Sequence, residues 1–388
     1  MAELLIHSTR LITAGTDGRA EDVPDAWVHL RGGVIAATGT GPVPTPLATV
    51  PSINGREVAG PGAILTPGLV DIHNHGGGGY SFEDGADAMA RAAAAHARRG
   101  VTRIVASFVS APVDVLTAQL EAVARMAALS GAVIGVHLEG PCLAHGRRGA
   151  HDPFALTDPA VVDFAELAAS GPLVQVTLAP ELAGASEAIA TLNKAGVRAA
   201  VGHTQADQEC AGAAFDAGAT ILTHAFNAMP PLHHRDPGPV GAAMADDRVT
   251  LEVVADGHHV SPTVIAVLFR AAAGRIALVS DAMAAAAAAD GRYQLGGLDV
   301  DVTAGKATLA GTEVIAGSTL TLDQAIRNVV GWGVPLTEAV MAATLTPARA
   351  IGRADLGRIT PGARGDAVLW NREMTAIAVW RDGEPVER

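Results

Sequence analysis

The chain has 388 residues, is 49% hydrophobic and only 17% charged, which excludes an intrinsically disordered protein and allows a large core. Its formal net charge of −13 argues against nucleic acid or an anionic membrane surface as a partner. Two cysteines rule out a disulfide framework, and residues 1–7 lack the basic and apolar regions of a signal peptide, so we expect a cytoplasmic protein.

Both ends of the chain predict β-structure. Short apolar runs between turn residues indicate strands near the N-terminus, and alternating patterns indicate two more near the C-terminus. The predicted strands are residues 4–7, 26–30, 34–38, 366–370 and 376–380. We therefore expect one small β-sandwich domain built from both termini, residues 1–61 and 352–388.

Between these ends, residues 62–351 alternate short apolar runs with alanine-rich stretches of helical pattern. The eight predicted strands are residues 63–71, 103–108, 133–139, 174–178, 198–202, 221–224, 250–254 and 276–281. Predicted helices between them include residues 113–129 and 159–167, and a glycine-rich hairpin region, 292–312, follows the last strand. Eight strands spaced by helices predict an α/β fold, a (β/α)8 barrel of the TIM type.

Polar side chains of metal-ligand types stand at the ends of five predicted barrel strands. They are His73 and His75 after the first strand, His137 and Glu139 at the third, His203 after the fifth, His224 at the sixth and Asp281 at the eighth. A single histidine at a strand end is more often a packed, hydrogen-bonded residue. Because barrel chemistry lies at the C-terminal ends of the strands, ligand types at five such ends indicate a metal site. Imidazoles with carboxylates favour Zn²⁺ or Fe²⁺ over Ca²⁺ or Mg²⁺.

The first of these strand ends reads Asp-Ile-His-Asn-His over residues 71–75. Because alternate residues of a strand share a face, His73 and His75 are expected to point the same way, with Asp71 one step earlier on that face. Two imidazoles on a rigid strand suit a metal ion, although a lone His-x-His pair is also common on ordinary surfaces.

Eight short motifs occur in an order that resembles the amidohydrolase superfamily and, within it, the N-acetylglucosamine-6-phosphate deacetylases. The motifs are residues 67–76, 137–141, 148–151, 179–181, 202–204, 223–229, 255–260 and 280–282. His-Leu-Glu-Gly-Pro together with Thr-His-Ala-Phe-Asn-Ala-Met is specific to the subfamily, whereas His-x-His alone indicates only the superfamily. The resemblance extends from about residue 60 to the C-terminus.

This resemblance implies a divalent metal ion held by Glu139, His203 and His224. It implies a second ion held by His73 and His75, with Glu139 bridging the two sites. Zn²⁺ is the expected metal, and Fe²⁺, Co²⁺ and Mn²⁺ also accept these ligands.

Many related barrels bridge their metals with a carboxylated lysine instead. Lysine occurs here only at Lys194 and Lys306, and neither ends a predicted barrel strand. The dihydroorotase and hydantoinase alternatives are weakened accordingly.

The remaining motif residues are expected to act on the substrate. Asp281 is expected to be the general base that takes a proton from water and passes it to the departing amine; the less favoured alternative is that it is only a metal ligand or a cap for the following helix. The resemblance implies that His151 contacts the acetyl carbonyl. It also implies that Arg235 binds phosphate from the neighbouring subunit of a homodimer. Further expected substrate contacts are Asn227, Ala228 and His258.

These assignments predict hydrolysis of N-acetyl-D-glucosamine 6-phosphate to D-glucosamine 6-phosphate and acetate by a metal-bound hydroxide, since a metal lowers the pKa of bound water from about 16 to about 7. The same reaction on N-acetylgalactosamine 6-phosphate is the nearest alternative, and purine or pyrimidine deamination is a more distant one. A non-catalytic sugar-phosphate sensor is disfavoured because none of the expected ligands is missing.

Overall fold

The computed structural model describes residues 3–126 and 131–387. Both ends of the chain contribute to one eight-stranded sheet. Its strands are Glu3–Ala14, Ala20–Arg31, Val34–Thr40, Ser52–Asn54, Ile64–Pro67, Ala367–Trp370, Ala376–Arg381 and Glu384–Pro385. Ile64–Pro67 joins the two halves, because it pairs parallel with the first strand and antiparallel with Ala367–Trp370. The prediction of a β domain built from both termini is confirmed, and its sheet includes Ile64–Pro67, which lies beyond the predicted bound at residue 61.

This sheet has a hydrophobic core of its own. Ile6, Val28, Leu65 and Leu369 are fully buried within it. The two ends of the sheet approach each other through backbone hydrogen bonds, in which the amide of residue 365 donates to the carbonyl of residue 33 and the amide of residue 383 donates to the carbonyl of residue 365. The sheet therefore wraps around a core separate from that of the barrel.

The predicted strand 63–71 is in fact two strands, and the prediction of one strand is wrong. Ile64–Pro67 belongs to the terminal sheet, and Leu69–Asn74 is the first barrel strand. Gly68 lies between them, and a Cβ built there would lie 2.1 Å from Oγ1 of Thr102. Because only glycine fits this close approach, the chain changes sheets at this residue.

Eight parallel strands form the second sheet, in sequential order. They are Leu69–Asn74, Val101–Phe108, Val133–Glu139, Leu173–Leu178, Arg198–Val201, Ile221–Leu222, Thr250–Val254 and Ile276–Val279, called barrel strands one to eight below. The barrel closes because the Asp281 amide donates to the His73 carbonyl at 2.9 Å, and the His75 amide donates to the Ala282 carbonyl at 2.7 Å. The predicted (β/α)8 barrel is confirmed, and all eight strands end at one mouth.

Helices cover the outside of the barrel. Those of six residues or more are Ala86–Ala97, Val113–Met126, Phe164–Ala169, Ala185–Lys194, Gln208–Asp216, Gly238–Ala245, Pro262–Ala271, Leu322–Gly331, Leu336–Ala343 and Leu345–Ala350. The predicted helix 113–129 is observed as far as Met126, and its last three positions lie outside the described residues. The single helix predicted over 159–167 is wrong: a 3-10 turn precedes a new helix, because the Asp163 side chain accepts from the amides of Ala165 and Glu166. Within the described residues, no helix has the length and apolar character to cross a bilayer.

The chain after barrel strand eight adds a small antiparallel sheet. Its three strands are Gly291–Leu295, Leu298–Thr303 and Lys306–Leu309. Val300 and Met283 are buried in a cluster that joins this sheet to the loop after barrel strand eight. The insertion thus stands at the barrel mouth, where the predicted site lies.

Buried ion pairs join the barrel to the terminal sheet. Arg103 of barrel strand two is 2% exposed, and its guanidinium donates to both carboxylate oxygens of Asp366, at 2.6 and 2.8 Å. It also donates to Asp382 at 2.7 Å, and Arg364 donates to the same oxygen at 2.7 Å. Burial raises the pKa of Asp382, but hydrogen bonds and charge from the two arginines lower it further, so that it lies below the usual value.

Candidate active site

Side chains from three different strand ends meet at the barrel mouth. Oε1 of Glu139 lies 3.0 Å from Nε2 of His203 and 2.9 Å from Nε2 of His224. The two imidazole nitrogens are 2.9 Å apart, and all three residues are buried. Three ligand atoms of the kind that Zn²⁺ and Fe²⁺ prefer therefore converge on one small region.

The second histidine pair lies beside the same carboxylate. Nε2 of His75 is 3.3 Å from Oε2 of Glu139, and Nε2 of His73 is 3.5 Å from Oε1. Asp281 completes the group, since its Oδ1 lies 3.3 Å from His75 and 3.5 Å from His73. His73 and His75 point the same way, with their Nε2 atoms 3.2 Å apart, so this prediction is confirmed.

Two other polar residues of the strand ends have supporting positions. Asp71 was expected on the face of the histidine pair, but its carboxylate accepts hydrogen bonds from Ser280 Oγ at 2.6 Å and Asn74 Nδ2 at 2.9 Å. The register of the strand shifts between Asp71 and Asn74, so simple alternation does not hold there. His137 uses both ring nitrogens on the hydroxyls of residues 107 and 177, and this leaves neither for a metal.

The chain leaves several barrel strands in a strained conformation. His203 has φ +49, His224 has φ +26 and Asp281 has φ +49, a region that costs a non-glycine residue about 1–3 kcal/mol. Gly140, directly after Glu139, has φ +92, and a Cβ there would lie 2.2 Å from Oγ of Ser110. Strain of this kind at the ends of three barrel strands is typical of functional sites.

The buried charges shift one another's pKa values. Burial raises the pKa of Glu139, but His73 and the hydrogen-bonding histidines bring it well below its usual value. Burial lowers the pKa of His73 and His75, but the nearby carboxylates of Glu139 and Asp281 raise both pKa values by more than burial lowers them. As a result, the pKa of His73 is well above its usual value, and that of His75 is raised to about 9. Burial raises the pKa of Asp281, yet His73 and His75 lower it further. A metal ion would therefore displace protons from His73 and His75, while the carboxylates of Glu139 and Asp281 are already ionised.

His151 presents a hydrogen-bond donor to the same cluster. Burial lowers its pKa to about 4, so it is neutral at pH 7. Its Nδ1 accepts from the Ser110 amide at 3.2 Å, which leaves the ring proton on Nε2. That nitrogen lies 3.4 Å from Oε2 of Glu139.

A cavity of about 340 Å³ opens over these residues. Besides the cluster, its walls include Arg147, Asn227, Ala228, His259, Leu295 and Val314. Arg147 is the one lysine or arginine among the described residues of this lining. The cavity thus combines the metal-ligand types with amide groups, a guanidinium and an apolar wall from the inserted sheet.

Two predicted substrate contacts lie elsewhere in this chain. Arg235 is exposed and is not part of the cavity wall. His258 is also exposed and borders a different depression, next to Arg99. His259, not His258, faces the site. The Asp256 side chain accepts hydrogen bonds from the backbone amides of His258 and His259 and contacts Nδ1 of His259 at 2.7 Å. Nε2 of His259 therefore lies 3.8 Å from Oδ2 of Asp281.

Sequence reasoning missed three residues that border the site: His259, Arg147 and Glu252. The signal for Glu252 was an ionisable residue inside the apolar strand Thr250–Val254, where burial without a partner would be costly. For Arg147 and His259 the residue types were noticed, but the direction of a side chain in a loop depends on turn geometry that the sequence pattern does not reveal.

The donor set fits a divalent metal ion of the zinc or iron type. The group His73–His75–Glu139 places one ligand atom per residue within 4.8 Å of the others. Glu139 and His203 meet the same limit together with His151, although the ring proton assigned to Nε2 of His151 makes that residue a donor rather than a ligand. In addition, Nδ1 of His203 binds the Arg147 carbonyl at 2.8 Å, so its Nε2 can offer a lone pair to an ion.

Comparison with known proteins agrees with this geometry. The model of the amidohydrolase family matches residues 64–386. The chain belongs to this family. Amidohydrolases are metal-dependent hydrolases, in keeping with the His and Glu clusters at the barrel mouth.

Among related amidohydrolases, an N-acetylgalactosamine-6-phosphate deacetylase from Escherichia coli O157:H7 is 37% identical over 368 residues, 93% of this chain and 94% of the relative. An N-acetylglucosamine-6-phosphate deacetylase from Vibrio furnissii is 37% identical over 330 residues, 83% of this chain and 82% of the relative. A mutant N-acetyl-D-glucosamine-6-phosphate deacetylase from Mycobacterium smegmatis, solved with N-acetyl-D-glucosamine-6-phosphate, has a TM-score of 0.91 and 39% identity, with both chains fully covered.

Proposed function

We propose that this amidohydrolase is a deacetylase that converts N-acetyl-D-glucosamine 6-phosphate and water to D-glucosamine 6-phosphate and acetate. The observation that carries the proposal is the convergence of Glu139, His203 and His224 at 2.9–3.0 Å, with Asp281 in the wall of the same cavity. The deacetylases of Vibrio furnissii and Mycobacterium smegmatis, to which the chain is similar along most of its length, support the choice of substrate.

Glu139, His203 and His224 would hold the primary divalent ion, and His73 and His75 a second one, with Glu139 between them. Zn²⁺ suits this ligand set best, and Fe²⁺, Co²⁺ or Mn²⁺ are alternatives. A bound ion lowers the pKa of water from about 16 to about 7 and polarises a carbonyl.

Asp281 would move the proton in this reaction. Its lowered pKa means that the side chain is a carboxylate at neutral pH, the form that can take a proton from the attacking water. An amide nitrogen leaves poorly as an anion, so the proton held on Asp281 would then pass to the departing amine. The side chain lies beside His73 and His75 and lines the cavity that would hold the acetamido group.

His151 would orient the acetyl group. Because its Nδ1 accepts from Ser110, its Nε2 proton is available to the acetyl oxygen, on which negative charge builds up in the transition state. The low pKa of His151, about 4, means that this donor does not depend on pH in the neutral range.

Phosphate would be bound by arginine side chains and backbone amides that lie farther from the metal-ligand cluster. Arg147 lines the cavity of its own chain, whereas Arg235 is exposed on the surface. We assign Arg235 to the site of a neighbouring copy in a homodimer, where a guanidinium binds two phosphate oxygens at once. Asn227, Ala228 and His259 of the cavity wall would contact the sugar, while His258 remains a predicted contact that no cavity neighbour supports.

The proposed location is the cytoplasm. Both cysteines, Cys142 and Cys210, are free, which suits a reducing compartment. Burial raises the pKa of Cys142 to about 12, so it would not act as a nucleophile.

Acetate release from metal-loaded protein tests the proposal. We expect turnover of N-acetyl-D-glucosamine 6-phosphate, much weaker turnover of unphosphorylated N-acetylglucosamine, and loss of both after treatment with a chelator. Absence of acetate release, or release of ammonia from adenine or cytosine instead, would overturn the assignment.

N-acetylgalactosamine 6-phosphate is the second candidate substrate, because the Escherichia coli relative named for it covers 93% of this chain. The two sugars differ in the configuration of one hydroxyl group. The ratio of kcat/KM for the two substrates decides between them, and a ratio above one in favour of the galactosamine derivative would reverse our choice.

A further inference from the structure

A buried glutamate lies directly behind the second histidine pair. Glu252, in barrel strand seven, has no solvent exposure, and its Oε2 lies 3.0 Å from Nδ1 of His73. Its other oxygen, Oε1, accepts a hydrogen bond from Nε2 of Gln175 at 2.8 Å. Gln175 is itself fully buried in barrel strand four, so three barrel strands contribute to this contact.

The contact fixes how His73 presents its ring. Nε2 of His73 faces Glu139, His75 and Asp281. If that nitrogen gives its lone pair to an ion, the ring proton must sit on Nδ1, and Glu252 is the acceptor placed to receive it. His75 lacks this support, since its Nδ1 is buried with no hydrogen-bond partner among the described residues.

We infer that Glu252, held by Gln175, is the positioning residue of the second metal site, and that it acts through the Nδ1 proton of His73. This inference rests on the proposed function, because it requires His73 to be a metal ligand. A carboxylate hydrogen-bonded to a ligating imidazole fixes the ring and raises the basicity of the ligating nitrogen. Removing such a partner typically costs about 10–100-fold in metal affinity.

The placement is not explained by packing alone. A leucine of similar volume would fill this position in an apolar strand without the cost of burying a carboxylate. Both oxygens of Glu252 instead have hydrogen-bond partners. Oε1 accepts from Gln175, and Oε2 faces Nδ1 of His73 and also accepts from the backbone amide of His224 at 3.4 Å. The charge at this position therefore serves the histidine rather than the barrel core.

Glu252→Gln tests the inference with little change of shape. If the new amide turns its oxygen to His73, its NH2 group meets the NH2 group of Gln175 unless Gln175 turns its own amide over. If it turns its NH2 group to His73, it opposes a proton on Nδ1. In both cases the negative charge is lost. Apoprotein is titrated with Zn²⁺ in competition with a chromogenic chelator, and the wild type, Glu252→Gln and His73→Asn are compared. Asp323→Asn is the control, because Asp323 is a buried carboxylate paired with Arg327 and has no part in the site.

We expect Glu252→Gln to weaken the same Zn²⁺ binding step that His73→Asn weakens, by 10–100-fold, and Asp323→Asn to leave it unchanged. If His73→Asn weakens a step and Glu252→Gln does not, the positioning role is wrong while the proposed function stands. If His73→Asn changes nothing, the second site and the role of Glu252 both fail; if wild type binds no Zn²⁺, the proposed function fails as well. Should Glu252→Gln not yield folded protein, Gln175→Leu decides in its place, and unchanged affinity in that variant refutes the inference.

Discussion

Replacing Asp281 with asparagine separates proton transfer from metal binding. Asparagine has nearly the same shape and is one of the few residues that tolerate positive φ well, so it suits a position at φ +49. The primary ligands Glu139, His203 and His224 are unchanged, and the metal they hold should remain. What the variant loses is the carboxylate that accepts the proton of water.

The expected loss follows from the role of the group. General acid–base catalysis contributes about 10²- to 10⁴-fold to a rate, which is about 2.7–5.4 kcal/mol of transition-state stabilisation. Asp281 lies 3.3 and 3.5 Å from the two histidines of the second site, and the structure shows no other carboxylate besides Glu139 among the described residues that line the cavity. Since Glu139 is assigned to the metal, no second carboxylate of this lining is available as the base, and we expect the upper part of this range.

The assay pairs metal content by elemental analysis with acetate release at saturating substrate. Asp299→Asn, at an exposed position of the inserted sheet, is the matched control and should behave as wild type. The reasoning is refuted if Asp281→Asn keeps its metal and retains kcat within tenfold of wild type. Loss of metal together with activity would instead make Asp281 a ligand.

Three further predictions concern substrate, acid stability and metal. Arg147→Ala and Arg235→Ala should each raise KM for the phosphorylated substrate by at least tenfold and leave the slow turnover of N-acetylglucosamine unchanged. An equal loss of activity on both substrates would exclude phosphate binding by these arginines. Because the pKa of Asp382 is depressed, its pairing with Arg103 and Arg364 stabilises the fold above pH 3.8, and this stabilisation is lost as the pH falls below that value. Urea unfolding should therefore show Asp382→Asn less stable than wild type at pH 6, with a smaller difference in the free energy of unfolding at pH 3. An equal difference at both pH values would contradict this. Chelation should lower the thermal midpoint, since a ligand at a thousand times its dissociation constant stabilises the native state by about 4.1 kcal/mol; an unchanged midpoint in calorimetry would mean that the native apoprotein gains nothing from metal.

The barrel and its mouth could be predicted because their signals are local. Buried parallel strands are continuous apolar runs, and the strands that hold Glu139 and Glu252 were predicted with the bounds observed, Val133–Glu139 and Thr250–Val254. Once the strands are assigned, barrel topology alone brings their C-terminal ends together. This is why His203 and His224, 21 residues apart in the chain, could be expected at one site.

What could not be predicted depends on individual contacts, some within one turn and some between distant segments. The choice between His258 and His259 is made by a turn in which Asp256 binds both amides, and the alternation that misplaced Asp71 fails because the strand shifts register against its neighbour. The break at Gly68 likewise reflects a close approach to Thr102, a residue of the next strand. None of these features has a periodic signal in the sequence.

Anomalous diffraction from crystals of the metal-loaded protein tests the central claim most directly. We predict a peak at the absorption edge of the bound metal within ligand distance of Oε1 of Glu139 and Nε2 of His203 and His224, about 2.0–2.2 Å for zinc. A protein that releases acetate but whose metal lies away from these three atoms would contradict the account.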